Sequence, residues 1–301
     1  IPAGNITTKQ EGEKIVEMHD MVNGGCKAFT DDKKTIQNNE VLKIALLYAK
    51  DTEALIMTYP NDNDISKNGQ MHEGITSTYL GLKGIPSLAE YITVNRDINL
   101  SKYTDCHLHL SYISTKESVQ RINEAKKKKI KITADVAIHN LFLKDDSVNN
   151  FDTRYKVKPP LREESDIKRL IKGLKDGSID VICTDHTPID AENKKIEFDI
   201  AKFGIIGLET AFGLIGKYLA KHLTITEIIE KIAINPRKIL RLDEHIIEEG
   251  MLANITFFDP KKSWIYNIED IVSKSSNTPF IGEELKGKAI AIYNKGKFKL
   301  C

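Results

Sequence analysis

The chain is predicted to be an α/β protein built around a parallel sheet. Three observations carry that expectation. Five short apolar β-type runs recur along the first 190 residues, helical patterns separate most of them, and the texture changes after Gly250. The first run is "CKAFT" at 26–30. The segment "NNEVLKIALLYAK" at 38–50 follows, with apolar residues at 41, 42, 45, 46 and 49, the spacing of a helix that buries one face. "ALIMT" at 54–58 is the second run and "CHLHLSYI" at 106–113 the third. Ser114 and Glu117 in "STKE" then read as a capping box, with Val119, Ile122 and Ala125 on one face behind it.

"IKITADVAI" at 130–138 is the fourth run. In "SDIKRLIKGLKDG", Ser165 reads as N-cap, Ile167, Leu170, Ile171 and Leu174 as the buried stripe, and Gly177 as C-cap. "IDVICT" at 179–184 is the fifth run. A parallel sheet of this kind, closed into a barrel, carries its chemistry at the C-terminal strand ends. Those ends are Asp31/Asp32, Tyr59, Tyr112, His139 and Asp185. A full barrel has eight strands, so three are expected on the N-terminal side of Ile1. "ANITFFDP", "SWIYNI", "KAIAIYN" and "KFKL" are short β runs with turn residues between them. The expected division is therefore an N-terminally incomplete barrel over 1–250 and a small β-sandwich appendage over 251–301.

The 44 basic and 43 acidic residues nearly cancel, which gives no reason to expect nucleic acid or a membrane surface as partner. The lysine run at 126–129 closes an amphipathic helix, where cations complement the helix dipole. Cys26, Cys106, Cys183 and Cys301 are far apart and form no CxxC pair, a pattern of reduced thiols in a cytoplasmic protein. No apolar run has the length of a membrane span, and no signal-peptide pattern opens the chain.

The stretch "DVICTDHTPID" at 180–190 runs a buried strand directly into Asp185 and His186, an acid and an imidazole at a strand mouth. Asp185 has two readings, a general base or a relic held by hydrogen bonds. Asp32 either contacts a metal or caps its loop. His186 and His139 favour structural roles, and His107 and His109 are expected in the core or behind the site. Arg154 and Arg162 are expected to anchor the loop "FDTRYKVKPPLR".

These motifs together carry a resemblance. "STKESVQRINEAKKKKIKITADV", "RYKVKPPLREESDIKRLIKGLKDGSIDVICTDHTPID", "FGIIGLETAFGL", "NPRKIL" and "SKSSNTPFIGEELKGK" resemble dihydroorotase of the amidohydrolase superfamily, the longer-chain type related to allantoinase and hydantoinase. The resemblance implies a (β/α)8 TIM-type barrel of the metal-dependent amidohydrolase kind and a place in pyrimidine biosynthesis. It implies hydrolysis of a cyclic amide, the interconversion of dihydroorotate and carbamoyl-aspartate, over a zinc pair that activates a bridging water. It places the last-strand aspartate, the proton acceptor and a metal ligand, on Asp185 in "TDHTP". It places a bridging carboxylate on Asp32 in "FTDDK", and a substrate-facing "FG" loop on Phe203 and Gly204.

Other positions depart from the pattern. The histidine ligand expected near the second run is Tyr59, and the histidine of "CHVSTKES"-type motifs is Tyr112 in "SYISTKES". The asparagine expected before "PPLR" is Lys158, and the histidine ending "TDHAPH" is Ile189. A neutral phenol with pKa near ~10 is a poor zinc ligand. Asp32 and Asp185 alone supply oxygen, which suits magnesium or calcium better than zinc. The resemblance thus implies either an impaired scaffold, with aspartate carbamoyltransferase as candidate partner, or an active enzyme with an altered metal site. A homo-oligomer is expected in both cases.

Overall fold

The structure, a computed structural model, describes residues 1–243 and 246–301. The strands among them are β1 (Ala28–Phe29), β2 (Leu55–Thr58), β3 (Met71–His72), β4 (Gly84–Ile85), β5 (Leu108–Leu110), β6 (Ile132–Ala137), β7 (Val181–Cys183), β8 (Asn254–Ile265), β9 (Glu284–Asn294) and β10 (Lys297–Leu300). Five of them form one sheet in the order β1-β2-β5-β6-β7, parallel at every junction. All five expected runs are strands, each trimmed at one or both ends. Single parallel bridges extend the two sides of this sheet, Gly4 to Phe29 and His186 to Ile205.

The helix Asn39–Thr52 begins as expected, with the Asn38 side chain accepting from the amides of Glu40 and Val41. Leu42, Ala45, Leu46 and Ala49 form its buried stripe. The helix Lys116–Lys127 is capped by Thr115, whose hydroxyl accepts from Ser118 N, and not by Ser114. Ser114 is engaged elsewhere, with its amide and hydroxyl both donating to the buried Glu90 carboxylate. The helix Glu164–Asp176 starts before Ser165, with Glu163 in the extended N-cap conformation. Ser165 Oγ instead accepts from Lys116 Nζ at 3.1 Å. Gly177 does end that helix, at φ +78°.

The longest helix, Ser87–Thr104, has no counterpart in the sequence expectation. Its buried face mixes Ala89, Val94 and Ile98 with Glu90, Thr93, Asp97, Ser101 and Thr104, so the apolar period is masked. Those polar groups are bonded. Thr58 Oγ1 donates to Asp97 Oδ2 at 2.8 Å, and Arg96 pairs with Asp97 Oδ1 at 2.8 Å, which ties the helix to the end of β2.

The C-terminal region is a three-stranded antiparallel sheet ordered β10-β9-β8. Two of the expected short runs are continuous as β8, with register shifts after Phe257 and Asp259. The helix Ala211–Tyr218 lies against β9 at a distance only glycine permits. A Cβ on Gly216 would stand 1.9 Å from the Lys286 carbonyl oxygen. One apolar core runs from Ile6 through the parallel sheet to Tyr266, Phe280 and Leu285. No described helix is long and apolar enough to cross a membrane. The four cysteines are free thiols, with Cys301 exposed.

Candidate active site at the strand ends

The C-terminal ends of β1, β5 and β7 each pass into a non-glycine residue in the left-handed region: Asp32 at φ +53°, Tyr112 at φ +59° and Asp185 at φ +46°. Such a conformation costs about 1 kcal/mol or more for a side chain of this kind and clusters at functional sites. All three are residues singled out from the sequence, and the fold brings them to one mouth.

Asp185 is buried, and Lys33 Nζ pairs with its Oδ1 at 2.6 Å. Burial pushes its carboxyl up to about 6 in spite of Lys33, whose charge pulls the other way. Desolvation therefore outweighs the ion pair. The charges of Asp135 and Asp32 add to the upward push, which places Asp32 within electrostatic reach. Asp32 itself is exposed at the rim. Its neighbour Asp31 is the buried carboxylate of that turn. It accepts from the amides of Ile6 and Thr7 and from the Thr7 hydroxyl, a structural set of bonds.

The two tyrosines face one another, with ring centroids 6.3 Å apart at an edge-on angle of 62°. Burial drives both phenols well above their ordinary pKa, so both are neutral. Each ring carries an ammonium over its face. Lys33 Nζ is 5.0 Å from the Tyr112 centroid and Lys158 Nζ is 5.5 Å from that of Tyr59. Burial, and then the charge of Lys33, lower the pKa of Lys158.

Three of the imidazoles, His107, His109 and His186, are committed elsewhere. His107 Nε2 and His109 Nδ1 both meet Thr133 Oγ1, at 3.0 and 2.9 Å, and His109 Nε2 meets Asp135 Oδ2 at 2.9 Å. Asp135 also accepts from Tyr112 N at 2.7 Å and Cys183 Sγ at 3.3 Å. A string of polar contacts therefore climbs the inside of the sheet to the base of the mouth. His186 Nδ1 accepts from the amides of Gly207 and Leu208. His139 is fully buried, and burial followed by the charge of Lys33 lowers it to about 3, so it is neutral. Its Nε2 lies 3.7 Å from Asp185 Oδ2, too far for a hydrogen bond, and both atoms are buried without a partner.

The loop of Phe203 and Gly204 packs against the segment that follows Asp185. Gly204 has φ +153°, and a Cβ there would meet Ile189 and Thr187 within 3 Å, so only glycine fits. The same stretch is held by Asn277, which accepts from Ile189 N and donates to Thr187 O. Lys156 Nζ sits 4.8 Å from the Phe203 ring and donates to the carbonyls of Phe198 and Asp199. Sequence reasoning missed Asn277, Lys33 and Glu90. Asn277 stands in the quoted "SSNTP" stretch, and Lys33 directly follows Asp32.

Of the two loop arginines, Arg154 makes an exposed local pair with Asp152. Arg162 is buried, reaching Ser114 Oγ, His72 Nδ1 and the Ile85 carbonyl, with Glu90 beyond at 3.9 Å.

A zinc pair would need several imidazole, thiolate or carboxylate donors pointed at one place. Among the described residues no three His, Cys, Asp or Glu side chains are so grouped. Besides Asp185 and the single imidazole of His139, the mouth offers neutral phenols and an ammonium on the central carboxylate, while His107, His109 and His186 are bonded away from it. This donor set does not fit a zinc pair.

A family model described as dihydro-orotase-like matches residues 1–118. The dihydroorotase of Thermoanaerobacter sp. (strain X514) is 42% identical over 301 residues, covering 99% of this chain and 70% of that protein. The dihydroorotase of Acetivibrio thermocellus is 41% identical over 288 residues, covering 95% of this chain and 68% of its own length. Among solved structures, L-hydantoinase from Arthrobacter aurescens superposes with a TM-score of 0.83 at 18% identity, over 98% of this chain and 68% of that one. Dihydropyrimidinase from Brevibacillus agri NCHU1002 gives 0.81 at 21% identity, over 94% and 66%. The structural likeness shows that the chain shares the TIM-barrel fold of these proteins, and the sequence likeness shows the family: the chain belongs to the dihydroorotase family.

Proposed function

We propose that this chain is a dihydroorotase-like protein of pyrimidine biosynthesis whose mouth has lost zinc-dependent hydrolysis, and that it serves as a scaffold or regulatory partner. The observation that carries this reading is the pair of neutral tyrosines, buried Tyr59 and half-buried Tyr112, at two strand ends where the family resemblance expects imidazole. Each substitution removes a nitrogen donor, and burial keeps each phenol from ionising to replace it. Lys158, where the resemblance expects a substrate-binding asparagine, and Ile189, where it expects a histidine, support the same reading. Aspartate carbamoyltransferase is the candidate partner, and self-association into a homo-oligomer goes with that role. The test is copurification of the full chain with that enzyme, paired with a dihydroorotate hydrolysis assay in added zinc. Binding without turnover is expected; turnover without any partner overturns the reading.

A second reading has one specific observation in its favour. Asp185 keeps its place at the strand end with a carboxyl pushed up to about 6, the range of a general base near neutral pH. With Asp32 and the Phe203-Gly204 loop it would serve an active cyclic amidohydrolase with a different or single metal. Hydrolysis of dihydroorotate abolished by Asp185→Asn would establish that alternative.

A further inference from the structure

We propose that the ammonium of Lys33 is the resident cation of this mouth, holding on Asp185 the place that a divalent ion would need. The inference deepens the reading of a mouth unfit for zinc and rests on it.

Lys33 reaches the buried carboxylate at 2.6 Å, and the Asp185 side chain is 2% exposed, against 18% for the lysine. An ion pair this shielded is little screened by salt. The same ammonium lies over the Tyr112 ring, 5.0 Å from its centroid. The group thus contacts both a carboxylate and an aromatic face, each of which favours a cation. The second ammonium, Lys158, lies over Tyr59, whose ring meets that of Tyr112 edge-on. A metal ion entering between these rings would meet two fixed positive charges, and its binding to Asp185 Oδ1 would require Lys33 to leave.

The other carboxylate oxygen marks what remains. Oδ2 and His139 Nε2 are both buried, both unpartnered and 3.7 Å apart. Lys33 satisfies one half of Asp185, and the other half with His139 keeps two donor atoms pointed at each other. Removing the ammonium leaves a buried carboxylate and a neutral imidazole side by side, the beginnings of a cation site.

The experiment follows thermal unfolding of the full chain at pH 8, in EDTA and in millimolar zinc chloride, with zinc uptake measured by calorimetry. The variants are Lys33→Met, Lys33→Arg and Lys33→Met with Asp185→Asn. Lys33→Met strands a buried charge, and a fall in Tm of about 5 °C in EDTA is expected. Zinc recovers roughly half of that fall or more, with affinity at least about tenfold above that of the wild-type chain. Lys33→Arg keeps the wild-type Tm, and the double variant neither falls as far nor responds to zinc. An unchanged Tm in Lys33→Met, or a fall that zinc does not reverse, overturns the role of Lys33 while the reading of the mouth stands. Stoichiometric zinc in the wild-type chain overturns both.

Discussion

Two buried charge clusters in this barrel are built in opposite ways. Around Glu90 every group is answered. Its carboxylate accepts from the amides of Ser114 and Thr115 and from both their hydroxyls, and Arg162 closes the far side. Around Asp185 the account does not close, since Oδ2 and His139 Nε2 have no partner. A satisfied cluster positions backbone: Glu90 and Arg162 hold the helix Ser87–Thr104, the loop after β5 and the "PPLR" loop together. An unsatisfied cluster, set on three left-handed residues, has the character of a site rather than of a clamp.

Disrupting the satisfied cluster is expected to cost most. Glu90→Gln leaves Arg162 buried without its counter-charge and turns an acceptor into a donor facing two amides. Equilibrium denaturation should register a loss of about 3 kcal/mol or more. A loss under about 1 kcal/mol would erase the distinction between the two clusters.

Acid is expected to have the next largest effect. His139 is lowered to about 3, and His72 and His107 to about 4, in each case chiefly by burial. The unfolded chain binds these protons near pH 6.5 and the folded chain does not. The stability they contribute is present above that value and is lost as pH falls from about 6.5 toward 4. Denaturation midpoints across that range should drop steadily, and replacing His139 with Gln should flatten part of the slope.

Asp185 has the opposite sign. Its folded value of about 6 lies above the ordinary 3.8, so its burial costs stability progressively as pH rises from about 4 to 6. Asp185→Asn should remove that cost, giving a chain as stable as wild type or more so at pH 8. A large loss there would mean that the Lys33 pair is a structural clamp like Glu90. The smallest effect is expected at Arg154, whose pair with Asp152 is solvent-exposed. Arg154→Ala should change stability by less than about 0.5 kcal/mol, against several for Arg162→Met.

The five parallel strands were legible because each is a short apolar run bounded by turns or helix caps, and parallel strands are buried on both faces. The ends of those strands gave Asp31/Asp32, Tyr59, Tyr112, His139 and Asp185, and the family resemblance singled out Asp32 of the first pair. The helix Ser87–Thr104 was not legible, because five of the eight residues on its buried face are Glu, Asp, Ser or Thr, with Glu90 and Asp97 answered by distant partners and the threonines by carbonyls of the helix itself. Glu90 stayed hidden with it. Ser114 shows the same limit at one residue: its spacing to Glu117 matches a capping box, but a carboxylate from another helix claims it. Lys33 stood in view beside Asp32, but nothing in a linear pattern says that its ammonium crosses to a strand end 152 positions away.

The central claim concerns donors at the mouth, and crystals of the full chain grown in zinc test it most directly. Anomalous difference maps at the zinc edge should be featureless between Tyr59, Tyr112 and Asp185, with the Lys33 ammonium seated on the carboxylate. A pair of strong peaks bridged by Asp32 and Asp185 would contradict the account.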